Sequence, residues 1–416
     1  MSEIKKLIER LCPDGVEYKK LGEVCNKVEK IKWKNITEEK KYIYVDLSSV
    51  DIRTHKISED YVIEKNTAPS RAQQIIKTDD IIFGTTRPTL MRYSMIPYSL
   101  DGQICSTGYC VIRADKINVL ARWIFHIVSS QSFYEYVNNN QQGAGYPSIS
   151  DNSIFSLEIP VPPIEVQSKI VEILDNFTEL EAELEAELEA RRKQYEYYRN
   201  QLLTFDKVGG GVRFVNMSEI GKFYGGLSGK NKNDFGIGKA KYITYMNVYS
   251  NIAVDLSIAE DVNVTDDEKQ NSIQYGDIIF TGSSETPEEC GMSSVVTENM
   301  EEPIYLNSFC FGFRIDDLSV FNVHFLKHLF RSHSLRSQIV KTASGVTRFN
   351  VSKKKMEKVE IPIPSLEEQQ RIVSILDRFE ALTTDLRSGL PAEIEARRKQ
   401  YEYYREKLLT FKRKTA

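Results

Sequence analysis

Two kinds of hydrophobic pattern alternate along the chain, and each occurs twice. The first kind is short. Runs rich in Tyr, Ile, Val and Phe at 42–47, 80–83, 109–113, 243–248, 277–280 and 309–315 are set off by clusters of Gly, Pro, Asn and Ser, the pattern of β-strands. Residues 118–137 and 319–342 carry apolar side chains at helical spacing and predict an amphipathic helix closing each set. The second kind is long. Ile170, Ile173, Leu174, Phe177, Leu180, Leu184, Leu188, Tyr195, Tyr198, Leu202 and Phe205 are spaced mostly by 3, 4 and 7. That is one stripe on a helix of about 40 residues, or about 60 Å. Ile372, Ile375, Leu376, Phe379, Leu382, Leu386, Leu390, Ile394, Tyr401, Tyr404, Leu408 and Phe411 repeat the stripe. A helix that long needs a partner for its apolar seam. The fold class expected is α+β: two pseudo-symmetric mixed α/β domains separated by two long antiparallel helices forming a coiled coil. Gly389 and Pro391 interrupt the second stripe, which predicts a kink or local break there.

The two sets are copies. ARRKQYEYYR at 190–199 recurs unchanged at 396–405, and LLTF at 202–205 recurs at 408–411, both at an offset of 206. Upstream, IPVPPIEVQSKIVEILDNF (159–177) matches IPIPSLEEQQRIVSILDRF (361–379) at an offset of 202, so a four-residue slip lies between the blocks. The match weakens into the globules but keeps its order: KYI at 41 faces KYI at 241, DIIF at 80 faces DIIF at 277, and SIS at 148 faces NVS at 350. The segments between these anchors are unrelated. A shared scaffold with divergent loops is the pattern expected when loops carry recognition.

Composition narrows the class. Hydrophobic residues at 41% and charged residues at 27% exclude a disordered or collagen-like chain. No apolar run approaches the ~18–20 residues of a membrane span, and the start, MSEIKKLIERLCPDG, is charged where a signal peptide is apolar. A cytoplasmic protein with no membrane partner is expected. Cys12, Cys25, Cys105, Cys110, Cys290 and Cys310 contain no C-x-x-C pair, so reduced, mostly buried thiols are expected and a zinc ribbon is not. The net charge of −4 argues against a stand-alone nucleic-acid binder. Six glutamates at 179–189 account for it; without them the balance is +2. Lys plus Arg against Asp plus Glu is 21 to 18 over residues 1–150 and 14 to 17 over residues 207–350, so neither globule is strongly basic.

Catalytic spacings are near misses. GGLSGKN (225–231) has three residues between its glycines and Asn231 after Lys230, where a phosphate loop needs four and a hydroxyl. PDGVEYK (13–19) places Asp14 and Glu17 too close for a nuclease metal hairpin and reads as a turn leading into a strand. His324 and His328 stand at i, i+4 but lack the acidic residue of a metalloprotease helix, and a surface or half-buried pair is the better reading. Neither G-x-S-x-G nor N-P-P-[YF] occurs. The chain is expected to be no enzyme and to hold no metal or catalytic residue.

Two variable globules, each followed by I-P-x-P, Q-x-x-I-V-x-I-L-D and a long charged helix ending R-R-K-Q-Y-E-Y-Y-R-x-x-L-L-T-F, resemble the specificity subunit of Type I restriction-modification enzymes over essentially the whole chain. The resemblance implies a DNA reader without catalysis. Residues 1–160 and 207–362 would be target recognition domains, each reading half of a bipartite, asymmetric double-stranded DNA sequence. Residues 161–206 and 363–416 would be the central and C-terminal spacer helices. It also implies partners: two modification subunits that methylate adenine N6, and ATP-dependent translocating restriction subunits. S-adenosylmethionine, ATP and Mg would sit on those partners, with no cofactor on this chain. Target adenines would be flipped out of the stack.

Base reading needs polar or cationic side chains on loops that reach a groove edge. In the first globule the candidates are Thr85, Thr86, Arg87, Tyr146 and Ser148; in the second they are Ser283, Ser284, Arg348 and Asn350, joined by Lys230, Asn231 and Lys232. Leu180, Leu184, Leu188, Tyr195, Tyr198, Leu382, Leu386, Ile394, Tyr401 and Tyr404 are candidates for the helix seam and for docking of partner subunits. A pseudo-symmetric scaffold that binds proteins rather than DNA is the alternative reading. Three tandem Glu-Leu-Glu-Ala copies at 179–190 further suggest a spacer whose length sets the gap between half-sites.

Overall fold

A computed structural model describes residues 2–207, 211–265, 267–384 and 389–414. The chain divides into two compact units, Met1–Glu185 with Glu393–Ala416, and Ala186–Ala392. Each unit thus combines one globule with parts of both helical blocks.

The first unit contains an antiparallel sheet in the order Cys25–Asn26, Tyr109–Ala114, Ile81–Gly84, Tyr93–Met95. Its other four-stranded sheet runs Val62–Ile63, Tyr42–Val45, Ile104–Ser106, Ala72–Ile75, with a parallel central pair that sets Tyr44 opposite Ile104. The second unit repeats the first sheet as Gly221–Gly225, Cys310–Ile315, Ile278–Thr281, Ser293–Val295. Glu260–Val262, Phe235–Ile243 and Ile304–Leu306 repeat three strands of the other, again with a parallel pair, Tyr242 opposite Tyr305.

The shared motifs hold this scaffold together. Asp80, 2% exposed, opens the first DIIF strand; it accepts from Arg113 Nε and Nη2 at 2.9 and 2.7 Å and from the Lys77 amide at 2.8 Å. Asp277 does the same with Arg314 at 2.9 and 2.6 Å and the Gln274 amide at 2.8 Å. A buried carboxylate is stable only when its lone pairs are met this way. The glutamine of Q-x-x-I-V is equally constrained. Buried Gln167 accepts from the Leu120 amide and donates to the Asn118 and Pro162 carbonyls, and buried Gln369 accepts from Asn322 and donates to Val320 and Pro364.

Three expectations need correction. The helix expected at 118–137 is two, Ala121–Val128 and Gln131–Asn140, and that expected at 319–342 is likewise Val323–Leu329 and His333–Val340. A serine at each break explains the division. Ser130 donates to the Ile127 carbonyl and caps the next helix at the Phe133 amide, and Ser332 does so at Leu329 and Leu335, the N-cap chemistry that starts a new helix. The run 243–248 is not a strand throughout: Phe235–Ile243 ends there and Tyr245–Ser250 is a helix. Thr244 caps it by accepting from the Asn247 amide, which overrides the β-preference of Tyr245 and Val248.

One helix of 39 residues spans Ile164–Leu202. Its counterpart is in two pieces, Leu366–Thr384 and Leu390–Leu409, with Pro391 in the first turn of the second, where a missing N–H costs nothing. Leu386 lies outside the described residues. The cores show how the helices are used. Tyr401, Leu408 and Leu409 of the last helix complete the first unit's core beside Val166, Ile170 and Leu174. Tyr195 and Leu203 complete the second unit's core beside Ile372, Val373 and Leu376. Each globule is closed by the helix end from the other repeat. In the first unit the pairing is antiparallel: Phe177 stacks on Tyr404 at 5.6 Å, while further along Glu181 meets Arg398 at 2.8 Å.

Candidate functional site

In the first unit the strand Ile81–Gly84 runs into Thr85, whose amide and hydroxyl both donate to the Gly108 carbonyl at 2.9 Å. Thr86 then pairs with Ser148 in an antiparallel bridge, and the Arg87 amide donates to the Pro147 carbonyl at 2.7 Å. These bonds bring the two candidate segments together. The Arg87 guanidinium lies 4.9 Å over the ring of Tyr146, which is 74% exposed. Arg87 and Met91 both take left-handed backbone, φ 47° and 49°, on either side of the tight turn Pro88–Leu90. Such a conformation costs a non-glycine residue about 1–2 kcal/mol.

The second unit builds the same junction. Ser283 pairs with Asn350 and Ser284 with Phe349. Arg348 Nε and Nη2 donate to Ser283 Oγ at 3.1 and 2.9 Å, and its guanidinium lies 5.5 Å over Phe309, a ring 57% exposed. The 202-residue offset puts Arg348 where Tyr146 stands in the first unit, so the stacked arginine comes from the opposite strand of the bridge.

Beside this junction is a cavity that the sequence did not disclose, lined by Tyr245, Tyr249, Glu289, Phe309 and Arg348. Tyr249 donates to Glu289 at 2.8 Å and holds its carboxyl below the usual range. The i, i+4 spacing of Tyr245 and Tyr249 was available as a signal, but reading this run as a strand hid it. Lys230 goes elsewhere: its buried side chain meets Glu268 at 2.5 Å and holds that carboxyl at about 2. Asn231 caps the turn Lys232–Asp234 by accepting from the Asn233 amide at 2.9 Å, and Lys232 is exposed. Among the described residues no hydrogen bond or ion pair joins 230–232 to the Ser283–Arg348 junction.

The helix candidates divide by environment. Tyr195, Tyr401 and Ile394 are buried, Leu184 and Leu188 half-buried, and Leu180 and Leu382 exposed. Tyr198 stacks on Phe379 at 5.5 Å. His324 is exposed but His328 is fully buried, a correction to the expected surface or half-buried pair: the two share a helix face, but His324 lies in the first turn of Val323–Leu329 and His328 in the last, against Asp377. His328 Nε2 is 2.7 Å from Asp377, and with Glu380 these form the one group of metal-ligand type among the described residues. The Lys327 ammonium fills it, 3.0 Å from Asp377 and 2.6 Å from Glu380. Burial holds His328 and His126 below the ordinary histidine value. Burial opposes ionisation of Asp377, yet His328 and Lys327 outweigh it and bring its carboxyl to about 2.

Other motifs are structural. PDGVEYK forms a turn leading into the strand Tyr18–Lys20, and Gly225 ends the strand Gly221–Gly225. All six cysteines are free, and five are buried. No helix among the described residues is long and apolar enough to cross a membrane.

Comparison with known proteins agrees with this architecture. Residues 13–190 and 210–396 each match the Type I restriction modification DNA specificity domain. The Type I restriction enzyme EcoR124I/EcoR124II specificity subunit of Escherichia coli is 34% identical over 63% of this chain; the match spans 65% of that subunit, just under two thirds. A Haemophilus influenzae chain provisionally named a type I restriction enzyme specificity subunit is 30% identical over 76% of this chain and 80% of its own length. A solved chain described under complex assembly and conformational transition of the type I R-M system has a TM-score of 0.64 at 24% identity, covering 95% of this chain and 97% of that one, which shows a shared fold. With both repeats matched in sequence and the fold matched over nearly its whole length, the chain belongs to the Type I restriction modification DNA specificity family.

Proposed function

We propose that this chain reads a bipartite, asymmetric double-stranded DNA target, one half with each globule, within 1–160 and 207–362. The observation that carries the reading is the duplicated junction. Thr86 with Ser148, and Ser283 with Asn350, occupy equivalent bridges on one scaffold, and different exposed side chains surround each. Phosphate neutralisation supplies most non-specific affinity, and these near-neutral globules offer little of it, so DNA binding belongs to an assembly. In that assembly the chain docks two adenine-N6 methyltransferase subunits and the ATP-dependent translocating restriction subunits. S-adenosylmethionine, ATP and Mg reside on those partners, and the assembly is cytoplasmic. Thr85, Arg87 and Tyr146 contact the first half-site, and Ser284, Arg348 and Asn350 the second. Lys232 and Asn231, on a turn not bonded to that junction, are phosphate contacts, and Tyr198, Tyr404 and the Glu-Leu-Glu-Ala leucines serve the helix seam and partner docking.

The experiment is co-expression with the modification subunit followed by genome-wide mapping of methylated adenine. One copy of this chain with two modification subunits is expected, with a two-part methylated motif. Replacing residues 207–350 by those of another family member should change one half of that motif only. Change in both halves would overturn the modular reading, and absence of salt-dependent DNA binding by the assembly would favour a protein-binding scaffold.

A further inference from the structure

We propose that Arg87 and Arg348 each read one guanine, Arg87 in the first half-site and Arg348 in the second, with the guanidinium fork donating to O6 and N7 in the major groove. The proposal rests on the reading that the globules contact bases, and it names the base.

The first argument is what the two cations lack. Arg113 and Arg314 are locked onto buried aspartates, and Arg371, Arg398 and Arg413 are paired with glutamates that are half-buried or exposed. Among the described residues neither Arg87 nor Arg348 has a carboxylate partner. Arg348 is bonded only to the neutral Ser283 hydroxyl, through Nε and Nη2 on one edge, which leaves Nη1 and the outer hydrogen of Nη2 pointing away as a fork.

The second argument is preorganisation. Each guanidinium carbon lies over an exposed aromatic ring, 4.9 Å from the Tyr146 centroid or 5.5 Å from that of Phe309. Such a cation–π contact restricts the long side chain without requiring its N–H donors. In the first unit the left-handed backbone at Arg87 and Met91 is held although no glycine relieves it; such residues persist where the surroundings impose them and cluster at binding sites.

The third argument is place. Both arginines sit at the same antiparallel junction but on opposite strands of it. A packing role inherited from a common ancestor would keep the arginine on one strand. An arginine reached twice from different positions at equivalent bridges points to a requirement for the fork itself. Guanine is the base that offers two parallel acceptors on its major-groove edge, whereas adenine offers one acceptor and one donor.

The test uses the complex of the full chain with its modification subunits. The wild-type methylated motif should contain at least one fixed G·C pair in each half. In R87A one such pair in one half should become degenerate, with methylation of the original site down by about tenfold to a hundredfold, while the other half is unchanged. R348A should do the same in the half that changes when residues 207–350 are exchanged. R87K keeps the charge and loses the fork, so it should lose discrimination with DNA affinity largely retained. An oligonucleotide with 7-deazaguanine at that pair should weaken the wild-type complex by a similar factor and leave R87A unaffected. A half-site with no fixed G·C pair, an unaltered motif in R87A and R348A, or weakening equal across all sequences, as for a phosphate contact, would overturn the proposal. The base-reading premise fails separately, and visibly, if the exchange of 207–350 leaves the motif untouched.

Discussion

The hydroxyl of Tyr195 stands 2.9 Å from Nδ1 of His328. The other ring nitrogen, Nε2, is 2.7 Å from Asp377 Oδ1. An ionised carboxylate only accepts, so the proton is on Nε2, and Nδ1 accepts from the phenol. The first unit holds the same relay: Tyr401 is 3.1 Å from His126 Nδ1, and His126 Nε2 is 2.7 Å from Asp175. Each tyrosine belongs to the ten-residue block of one repeat and each histidine to the globule of the other. Burial of an aromatic ring with its one polar atom satisfied explains why Tyr195 and Tyr401 are shared between the blocks.

Removing that hydroxyl leaves a buried imidazole nitrogen without a donor. Tyr195→Phe is expected to destabilise the second unit by about 1–2 kcal/mol, and Tyr401→Phe the first by a similar amount. Calorimetry of the full chain, with each variant compared against wild type, reads both. Coincident melting curves would mean that the relay adds nothing.

The same relays set a pH dependence. Both histidines are held below their unfolded value of about 6.5, so the unfolded chain takes up protons more readily; stability is full above that value and falls as pH drops below it. Asp377, at about 2 when folded against about 3.9 unfolded, adds a second loss between about pH 4 and 2. The denaturant midpoint of wild type should therefore fall between pH 7.5 and 5, roughly. A His126→Gln/His328→Gln variant, less stable at the upper end, should show a flatter profile. Identical slopes in the two proteins would contradict this account.

How much of this was legible in the sequence depended on periodicity. The duplication, the long helix and the DIIF strands announce themselves because repetition and regular spacing are local properties. The breaks at Ser130 and Ser332 were missed because apolar spacing continues across them, and only the capping serine, a common residue, marks the turn. The exchange of helix ends follows in outline from the antiparallel packing expected of the two helices, but Tyr195 and Tyr401 are identical, and which histidine each meets is decided by tertiary packing. The site was half legible. Arg87 and Arg348 stand out as cations on divergent loops, whereas Phe309 opens a run that reads as a strand and Glu289 lies in a polar stretch, and nothing local in either places it beside Arg348.

Asp80 tests whether the shared anchors are scaffold rather than recognition. Asp80→Ala strips a nearly buried Arg113 of both carboxylate bonds, a loss expected to cost about 3–5 kcal/mol in the first unit. Asp80→Leu combined with Arg113→Met removes the uncompensated charge and should recover part of it. The methylated motif of either variant, where it still assembles, should be that of wild type. A changed motif would place this pair in base reading.

The spacer prediction follows from helix geometry. The copies of Glu-Leu-Glu-Ala at 179–190 lie inside the helix Ile164–Leu202, where Arg398 reaches both Glu181 and Glu185. Leu180, Leu184 and Leu188 step by 4 and 4, where a regular seam alternates 3 and 4. Four residues at ~100° each advance the stripe about 40° past a full turn and add about 6 Å. One base pair of B-DNA turns about 35° and rises about 3.4 Å. The rotations nearly agree while the rises do not, so the match works only for a helix axis oblique to the DNA or a duplex that adjusts. Deleting Glu183–Ala186 keeps Glu181 opposite Arg398 and removes one copy. Both half-sites should remain, with the unread gap between them one base pair shorter, and an added copy should lengthen it by one. Methylation mapping of the deletion strain decides the matter, because a solubilising acidic stretch of arbitrary length predicts full activity at an unchanged gap.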